Sequence, residues 1–216
     1  MSIRLFLKFG SKKHLKKLLK RGEIYFASLE SFRKETGSIN RDDNGEGVLS
    51  LKHFRKKDKP ILKINPSRDD EIALNLNHGV LRFHMTEISE KALSLYSIRD
   101  HEIFKKDYKI DRRMISDKKY EYCVIITNPI EFLDRIKNTL NKRGVIFRGK
   151  SIKYLDYDKD QTDLNLFCKS DQYSYQKEFR IVVYNIKSEY YKIEVGSIED
   201  IALIHLSKKL EGLMIS

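Results

Sequence analysis

Cysteine, proline and glycine are all scarce in this 216-residue chain. Two cysteines cannot build a disulfide scaffold, and three prolines and ten glycines exclude collagen-like, proline-rich and glycine-linker classes. No apolar run approaches the roughly 20 residues that cross a bilayer. Residues 1–14 lack a long apolar segment and a small-residue cleavage site, so they predict a strand instead of a signal peptide. The sequence therefore predicts one cytoplasmic domain over residues 1–216, with no membrane partner.

Acidic residues are outnumbered by basic ones. The chain has 43 Lys and Arg against 31 Asp and Glu, which gives a formal net charge of +12. Residues 1–60 hold sixteen cationic and seven acidic side chains, whereas residues 181–216 hold four and five. A one-sided basic surface attracts polyanions such as nucleic acid, an acidic protein or an anionic membrane face. Lysine also simply solvates many surfaces, so charge alone leaves the partner open.

Many short strands and few helices are predicted. Ser11 is placed to cap a helix that runs to about residue 21 with leucines on one face, and Gly22 suits the position after its end. Pro129 is placed to open a second helix that runs to about residue 143 and ends at Gly144. A polar loop is predicted at 37–47, and the charged stretch 99–119 predicts a loop, a surface helix or an insertion. Strands are predicted at 3–9, 24–28, 48–54, 61–64, 79–85, 93–98, 122–127, 145–148, 151–157, 178–184, 190–195 and 200–206.

This pattern favours an α+β fold. The strands are short, a few helices flank them, and no linker or long repeat divides the chain. Successive strands separated by short turns favour a mostly antiparallel sheet.

The common nucleotide and metal motifs are missing. The sequence has no GxxxxGK[ST], HExxH or CxxC. Residues 40–45 resemble the start of a calcium loop, but Leu51 stands where that loop needs Glu. Cys123 and Cys168 are isolated beside apolar runs, which predicts core positions and not zinc ligands. No metal is therefore expected.

Two alternative functions stay open at this point. A metal-dependent nuclease would need a carboxylate cluster and Mg²⁺. The candidate ligands lie in a loop-like segment: Asp156, Asp158, Asp160 and Asp163. A D-x-K spacing at 107–109 is a weaker candidate, because no buried strand presents it. The second alternative is a non-catalytic nucleic-acid-binding or interaction protein.

The end of the first strand has features of a ligand site. Lys8, Phe9 and Gly10 lie there, directly before the first helix. A glycine backbone can approach a ligand closely, and a helix start offers free N–H groups. An ordinary strand-to-helix turn would look the same.

The second strand carries two adjacent aromatic residues. Alternation places Tyr25 and Ala27 on one face, and Phe26 and Ser28 on the other. Either one aromatic residue lies in the core while the other lines a cleft, or both lie in the core.

A third segment joins a polar, aromatic-rich loop to a strong strand. Gln176 and Glu178 lie two residues apart and so face the same side, while Phe179, Ile181 and Val183 take the other. An acid at the mouth of a strand with an amide beside it is suited to chemistry. A surface Glu paired with a neighbouring cation would give the same pattern.

Together these three segments resemble the ADP-ribosyltransferase superfamily. In that family a first-strand motif grips nicotinamide, a second-strand Tyr or Ser follows a helix, and a late strand carries a catalytic Glu, often two residues after Gln or Glu. Residues 8–11, 25–28 and 176–178 match this order. In size and plan the chain is also similar to bacterial ADP-ribosyltransferase toxins of phage-defence toxin–antitoxin systems, which modify nucleic acid. The resemblance covers the two ends of the chain and not residues 50–120.

The chain departs from the family pattern at two places. The usual first-strand His or Arg is replaced by Lys8, or by Arg4 four residues earlier. No Ser-Thr-Ser triplet follows the second strand.

The resemblance implies a split, mostly antiparallel sheet with NAD⁺ as co-substrate. Glu178 is then expected to bind a ribose hydroxyl and stabilise the positive charge that develops as nicotinamide leaves, while Gln176 orients the acceptor. The expected NAD⁺ contacts are Lys8, Phe9, Gly10, Tyr25, Phe26 and Ser28. The expected substrate contacts are Tyr173, Tyr175 and Arg180.

The resemblance also bears on partners. The expected acceptor is RNA or single-stranded DNA, with a protein side chain as the alternative, and a toxin implies an antitoxin partner. Because Glu178 is expected at a strand mouth outside the core, Glu178→Ala is expected to leave the fold intact.

Overall fold

The computed structural model describes most of the chain. The described residues are 2–29, 47–54, 61–67, 70–75, 79–84, 89–103, 108–116 and 118–212. The calcium-like segment 40–45 and Asp107 of the D-x-K candidate lie outside them, as does most of the predicted loop 37–47. Within the described ranges, no helix is both long and apolar enough to cross a membrane.

The N-terminal strand–helix–strand unit forms close to its predicted bounds, but the Ser11 side chain makes no capping hydrogen bond. It consists of β1 (Ile3–Gly10), α1 (Lys12–Arg21) and β2 (Glu23–Ser28). Gly22 ends α1 with a positive φ of 63° and donates its N–H to the Leu18 carbonyl at 2.8 Å. A Cβ here would lie 2.1 Å from the Gly196 carbonyl oxygen, so only glycine fits this turn.

Two antiparallel strand pairs follow. β3 (Val48–Phe54) pairs with β6 (Gly79–His84), and β4 (Ile61–Ser67) pairs with β5 (Asp70–Asn75). The sequence analysis missed β5, because its charged start does not alternate as an exposed strand should.

The central strand β7 (Lys91–Arg99) leads into the charged stretch. That stretch contains α2 (Asp100–Ile103), α3 (Arg112–Ser116) and a 3-10 turn at Lys118–Tyr120. Three of its apolar residues are buried, namely Ile110, Met114 and Ile115. The stretch therefore packs as part of the domain.

The second half is rich in strands, as predicted. Asn128 caps its long helix by accepting the N–H of Glu131 at 3.1 Å, and Pro129 takes the first turn. The predicted strand 151–157 is interrupted at Ile152, whose N–H donates to the Glu178 carbonyl at 2.9 Å. The elements are β8 (Tyr122–Ile126), α4 (Pro129–Lys142), β9 (Phe147–Ser151), β10 (Lys153–Leu155), β11 (Cys168–Ser170), β12 (Glu178–Val183), β13 (Tyr190–Glu194) and β14 (Ala202–Leu206), with 3-10 helices at Asp171–Gln176 and Ser207–Gly212.

The main sheet has eight strands and is antiparallel throughout. Its order is β13–β2–β7–β1–β8–β14, with β12 also paired to β7 and β9 paired to β12. A small parallel pair, β10 and β11, stands apart from it. The fold is therefore α+β with a mostly antiparallel sheet, as predicted.

The sheet divides along β7. On one edge, β12 pairs with β7 from Lys91 to Tyr96. On the other edge, β1 pairs with Tyr96 to Arg99, whereas β2 pairs with Lys91 and Ala92. Among the described strands, none covers residues 93–95 on that edge. β1 and β2 thus pair with different parts of the same edge of β7, and a gap lies between them at residues 93–95.

Apolar residues pack on both faces of the sheet. One cluster lies under α1 and α4 and includes Phe6, Phe26 and Phe132. The cluster on the other face includes Leu7, Tyr96 and residues of α3. Cys123 and Cys168 are both buried free thiols, which confirms their predicted core positions.

Candidate active site

A cleft of about 770 Å³ lies at the gap between β1 and β2. This volume is typical of a small-molecule site. Its walls come from the end of β1, the start of β2, the middle of β7 and the start of β12, with α1 along one rim. The sheet division therefore creates the cleft.

Lys8 bridges the gap in the sheet. Its ammonium group donates to the backbone carbonyl of Ser94 at 2.9 Å, in the part of β7 that β1 and β2 leave uncovered. A cation thus lies in the floor of the cleft. Of the two first-strand candidates, Lys8 lines the cleft, while Arg4 is exposed on the protein surface.

Gly10 forms an open part of the cleft wall. A Cβ built there would meet only Leu15, at 3.7 Å, which is an ordinary van der Waals distance. The protein's own packing does not require glycine here. The missing side chain instead leaves space for a ligand beside the start of α1.

Glu178 is the centre of a buried polar network. It is 5% exposed, and its Oε1 accepts hydrogen bonds from Arg180 Nε at 2.7 Å and from Ser94 Oγ at 2.5 Å. Its Oε2 lies 3.2 Å from Lys169 Nζ. Its backbone N–H donates to the Tyr154 hydroxyl at 2.9 Å. We call Gln176, Glu178, Arg180, Lys169 and Ser94 the buried wall.

The network keeps Glu178 ionised. Burial alone would favour the neutral acid, but the positive charges of Arg180 and Lys169 outweigh it and hold the pKa of Glu178 well below its usual range. The hydrogen bonds from Arg180 and Ser94 act in the same direction. Glu178 is therefore a carboxylate at any physiological pH.

Lys169 joins the two residues of the predicted Gln-x-Glu pair. Its Nζ donates to Gln176 Oε1 at 2.9 Å while it faces Glu178. Between them Lys177 adopts a positive φ of 40°, and its carbonyl accepts hydrogen bonds from the backbone and the hydroxyl of Ser97 at 3.0 and 2.8 Å. This turn, fixed to β7, brings Gln176 and Glu178 into the same cleft.

The opposite side of the cleft is exposed and aromatic. Tyr25 is 42% exposed, and its ring centroid lies 5.8 Å from that of Tyr190 and 6.5 Å from that of His14. We call these three residues the open wall. Glu23 lies below them and is buried, with Lys17 at 3.3 Å and Lys192 at 3.5 Å.

Seven of the predicted site residues line this cleft. They are Lys8, Phe9, Gly10, Tyr25, Gln176, Glu178 and Arg180. Arg180 was expected to contact substrate. It is 1% exposed and holds Glu178 and the Leu166 carbonyl, so its observed role is to position the carboxylate.

The other predicted site residues lie elsewhere. Phe26 is fully buried in the core under α1, which leaves Tyr25 as the cleft aromatic of that pair. Tyr175 is buried, with the Arg113 guanidinium 3.5 Å from its ring centre. Tyr173 packs against the apolar cluster that contains Tyr175, Leu7 and Tyr96. Ser28 lies at the far end of β2. Burial prevents Phe26 and Tyr175 from stacking on a ligand in this structure.

One expectation about Glu178 is wrong. It begins β12, as expected, but it does not lie outside the core, because it is buried with two cations. Its replacement by Ala would leave those cations unpaired away from water, which destabilises a fold strongly. Glu178→Gln, which keeps the shape, is the better variant.

Ser94, Lys169 and Tyr154 are site residues that the sequence analysis missed. Ser94 interrupts an apolar run in β7, and Lys169 stands beside the buried Cys168, so both are polar residues in apolar surroundings. That signal marks a buried polar group but does not identify its partner. The contact between Ser94 and Glu178 spans 84 residues of chain.

The described residues do not support the metal-dependent nuclease. They contain no group of three or more His, Cys, Asp or Glu side chains that could hold a metal ion. Asp156 instead pairs with Lys159 at 2.8 Å, and Asp160 accepts the backbone N–H of His53 at 2.7 Å. These aspartates organise a surface turn.

Comparison with known proteins adds no relative. No protein-family model, curated protein or solved structure matches the chain. The cleft itself is therefore the feature from which a function can be inferred.

Proposed function

We propose that this protein is an NAD⁺-dependent mono-ADP-ribosyltransferase that modifies nucleic acid, with RNA as its main substrate. The observation that carries the proposal is Glu178 paired with two cations and held beside Gln176 on the buried wall of a cleft at the division of the sheet. A toxin or anti-phage effector is the biological role that fits this chemistry, and an antitoxin partner remains a prediction.

The cleft fits NAD⁺ by size and by chemistry. Its volume is adequate for a ligand of that class, Gly10 leaves room at the wall, and Tyr25 offers a flat face to an aromatic ring. The Lys8 ammonium in the floor supplies positive charge for a phosphate. Lys119 also lines the cleft, from the 3-10 turn before β8.

The hydrogen bonds of Glu178 favour one of its two oxygens for contact with substrate. Each carboxylate oxygen accepts about two hydrogen bonds. Oε1 already accepts from Arg180 and Ser94, whereas Oε2 has only Lys169 among its contacts with the described residues. Oε2 therefore keeps the capacity to accept a ribose hydroxyl.

The reaction needs little more than positioning and charge. The bond from the ribose C1′ to the nicotinamide nitrogen breaks, nicotinamide leaves with the electron pair, and an acceptor atom bonds to C1′ and loses its proton. The Glu178 carboxylate stabilises the positive charge that develops on the ribose, in a site where low solvent content strengthens the effect. Gln176 orients the acceptor through its amide.

A transfer assay tests the proposal. Labelled NAD⁺ is incubated with the protein and, separately, with RNA, single-stranded DNA or cell lysate. We expect label on RNA with the natural protein and none with Glu178→Gln. Glu121→Gln, the same change at an exposed site, should transfer like the natural protein.

The choice of acceptor tests the transfer chemistry and the nucleic-acid acceptor separately. Label on lysate protein alone would keep the chemistry and overturn the nucleic-acid acceptor. Folded protein that transfers no label and releases no nicotinamide would overturn the function and favour a non-catalytic binding protein.

A further inference from the structure

A row of lysines lies on α1, the helix along one rim of the cleft. α1 carries six Lys or Arg residues and no Asp or Glu. Lys13, Lys16 and Lys20 are exposed, and none of the three makes an ion pair with another described residue. Their spacing places them on one face of the helix, over about 10 Å at 1.5 Å per residue. This face presents positive charge that the protein does not neutralise.

Exposed aromatic rings lead from the neighbouring side of α1 into the cleft. His14, turned about 100° from Lys13 around the helix, lines the cleft, and its ring is followed by that of Tyr25 and then that of Tyr190. Tyr190 is the most exposed of the tyrosines at 55%, and it lies on β13, at the sheet edge. The ring of Tyr190 is therefore accessible from outside the cleft while Tyr25 faces inward.

We propose that Lys13, Lys16, Lys20 and Tyr190 bind single-stranded nucleic acid, the lysines through its phosphates and Tyr190 by stacking on an unpaired base. Cations beside exposed aromatic rings are the combination that such strands require. A duplex keeps its bases stacked internally, and an acidic protein offers carboxylates but few flat rings. The proposal deepens the proposed function and rests on it only in taking the bound strand as the acceptor.

The aromatic contact is tested by binding without NAD⁺. Fluorescence anisotropy is measured with labelled single-stranded RNA and DNA of one sequence, the matching duplex, and polyglutamate. Tyr190→Ala should weaken single-strand binding about tenfold, whereas Tyr190→Phe, which keeps the ring, should bind like the natural protein. Because Tyr190 is exposed, both variants should fold like the natural protein, and thermal unfolding of each variant checks this directly.

The lysine contacts are tested by salt dependence. Replacing Lys13, Lys16 and Lys20 together by Gln should reduce the slope of log K against log salt by about 2, since each phosphate contact to a single strand contributes about 0.7. The control replaces Lys137, Lys142 and Lys208 by Gln, which removes the same charge from exposed sites outside α1. The control should leave the slope almost unchanged.

The outcomes separate this proposal from the proposed function. The proposal is supported if the protein prefers single-stranded RNA, or binds single-stranded RNA and DNA equally, and if this binding depends on Tyr190. Equal effects of the two lysine sets, unaltered binding by Tyr190→Ala, or tighter binding of duplex or polyglutamate would overturn it. If Tyr190-dependent binding persists but no ADP-ribose is transferred, the binding surface stands and the proposed function fails.

Discussion

The two walls of the cleft are built on opposite principles. The buried wall holds Glu178 and Arg180 almost completely out of water, with every described charge paired at short range. The open wall presents Tyr25 and Tyr190 to solvent beside a helix of mostly unpaired lysines. Buried charge is costly unless it is fully paired, whereas an exposed ring or lysine costs little.

This difference between the two walls predicts a division between their roles. Changes in the buried wall should alter both stability and chemistry, because its groups depend on one another. Changes in the open wall should alter binding and leave stability nearly constant. The predictions that follow test this division, from the largest effect to the smallest.

The largest loss of stability is expected from Arg180→Met. The variant leaves the Glu178 carboxylate buried with one cation fewer, and breaking a buried pair in this way costs about 3–5 kcal/mol. The matched variant is Arg21→Met, which breaks an exposed ion pair with Glu194 and should cost less than about 1 kcal/mol. The free energy of unfolding in urea measures both, and similar losses in the two variants would contradict the division.

Acid should destabilise the protein through the buried wall. Because the pKa of Glu178 lies below its ordinary value of 4.5, its ion pairs contribute fully above that pH and less as the pH falls below it. Urea unfolding at pH 7, 5, 4 and 3 should therefore show a steeper loss for the natural protein than for Glu178→Gln. Parallel curves would mean that Glu178 adds no pH-dependent stability.

In the open wall, Tyr25→Ala should weaken NAD⁺ binding about tenfold, because a flat ring is lost, while Tyr25→Phe retains the affinity. The free energy of unfolding should change by less than about 1 kcal/mol, since the ring is 42% exposed. Calorimetric titration with NAD⁺ measures the affinity. A large loss of stability with unchanged affinity would place Tyr25 in the structural part of the fold.

The smallest change in the protein is Gly10→Ala. Its Cβ fits beside Leu15 at 3.7 Å, so the thermal midpoint should stay the same or rise slightly. The added methyl group narrows the cleft, and the KM for NAD⁺ should rise severalfold. An unchanged KM would show that no ligand approaches this part of β1.

Local patterns predicted much of the fold. β1, α1 and β2 were predicted from alternation, leucine spacing and Gly22, all of which act within a few residues. The start of α4 was predicted from Pro129, because proline suits the first turn of a helix. β5 was missed, because its pairing with β4 overrides a weak local pattern.

The candidate site was predictable only in part, for a related reason. Gln176 and Glu178 were found because Glu178 begins a strong strand and Gln176 ends the polar segment just before it, where polar residues stand out. Lys169 and Ser94 were missed, because their roles exist only once β11, β7 and β12 come together. Alternation left open which of Tyr25 and Phe26 faces the cleft, and packing under α1 decides it.

The most direct test of the account is nicotinamide release from NAD⁺. Initial rates are compared for the natural protein and Glu178→Gln at equal concentrations of folded protein, without an acceptor and with RNA. The account predicts release by the natural protein and a fall of about 100-fold or more in the variant, in line with the loss of a preorganised transition-state contact. Equal release by both proteins, or none by either, would contradict the role of Glu178.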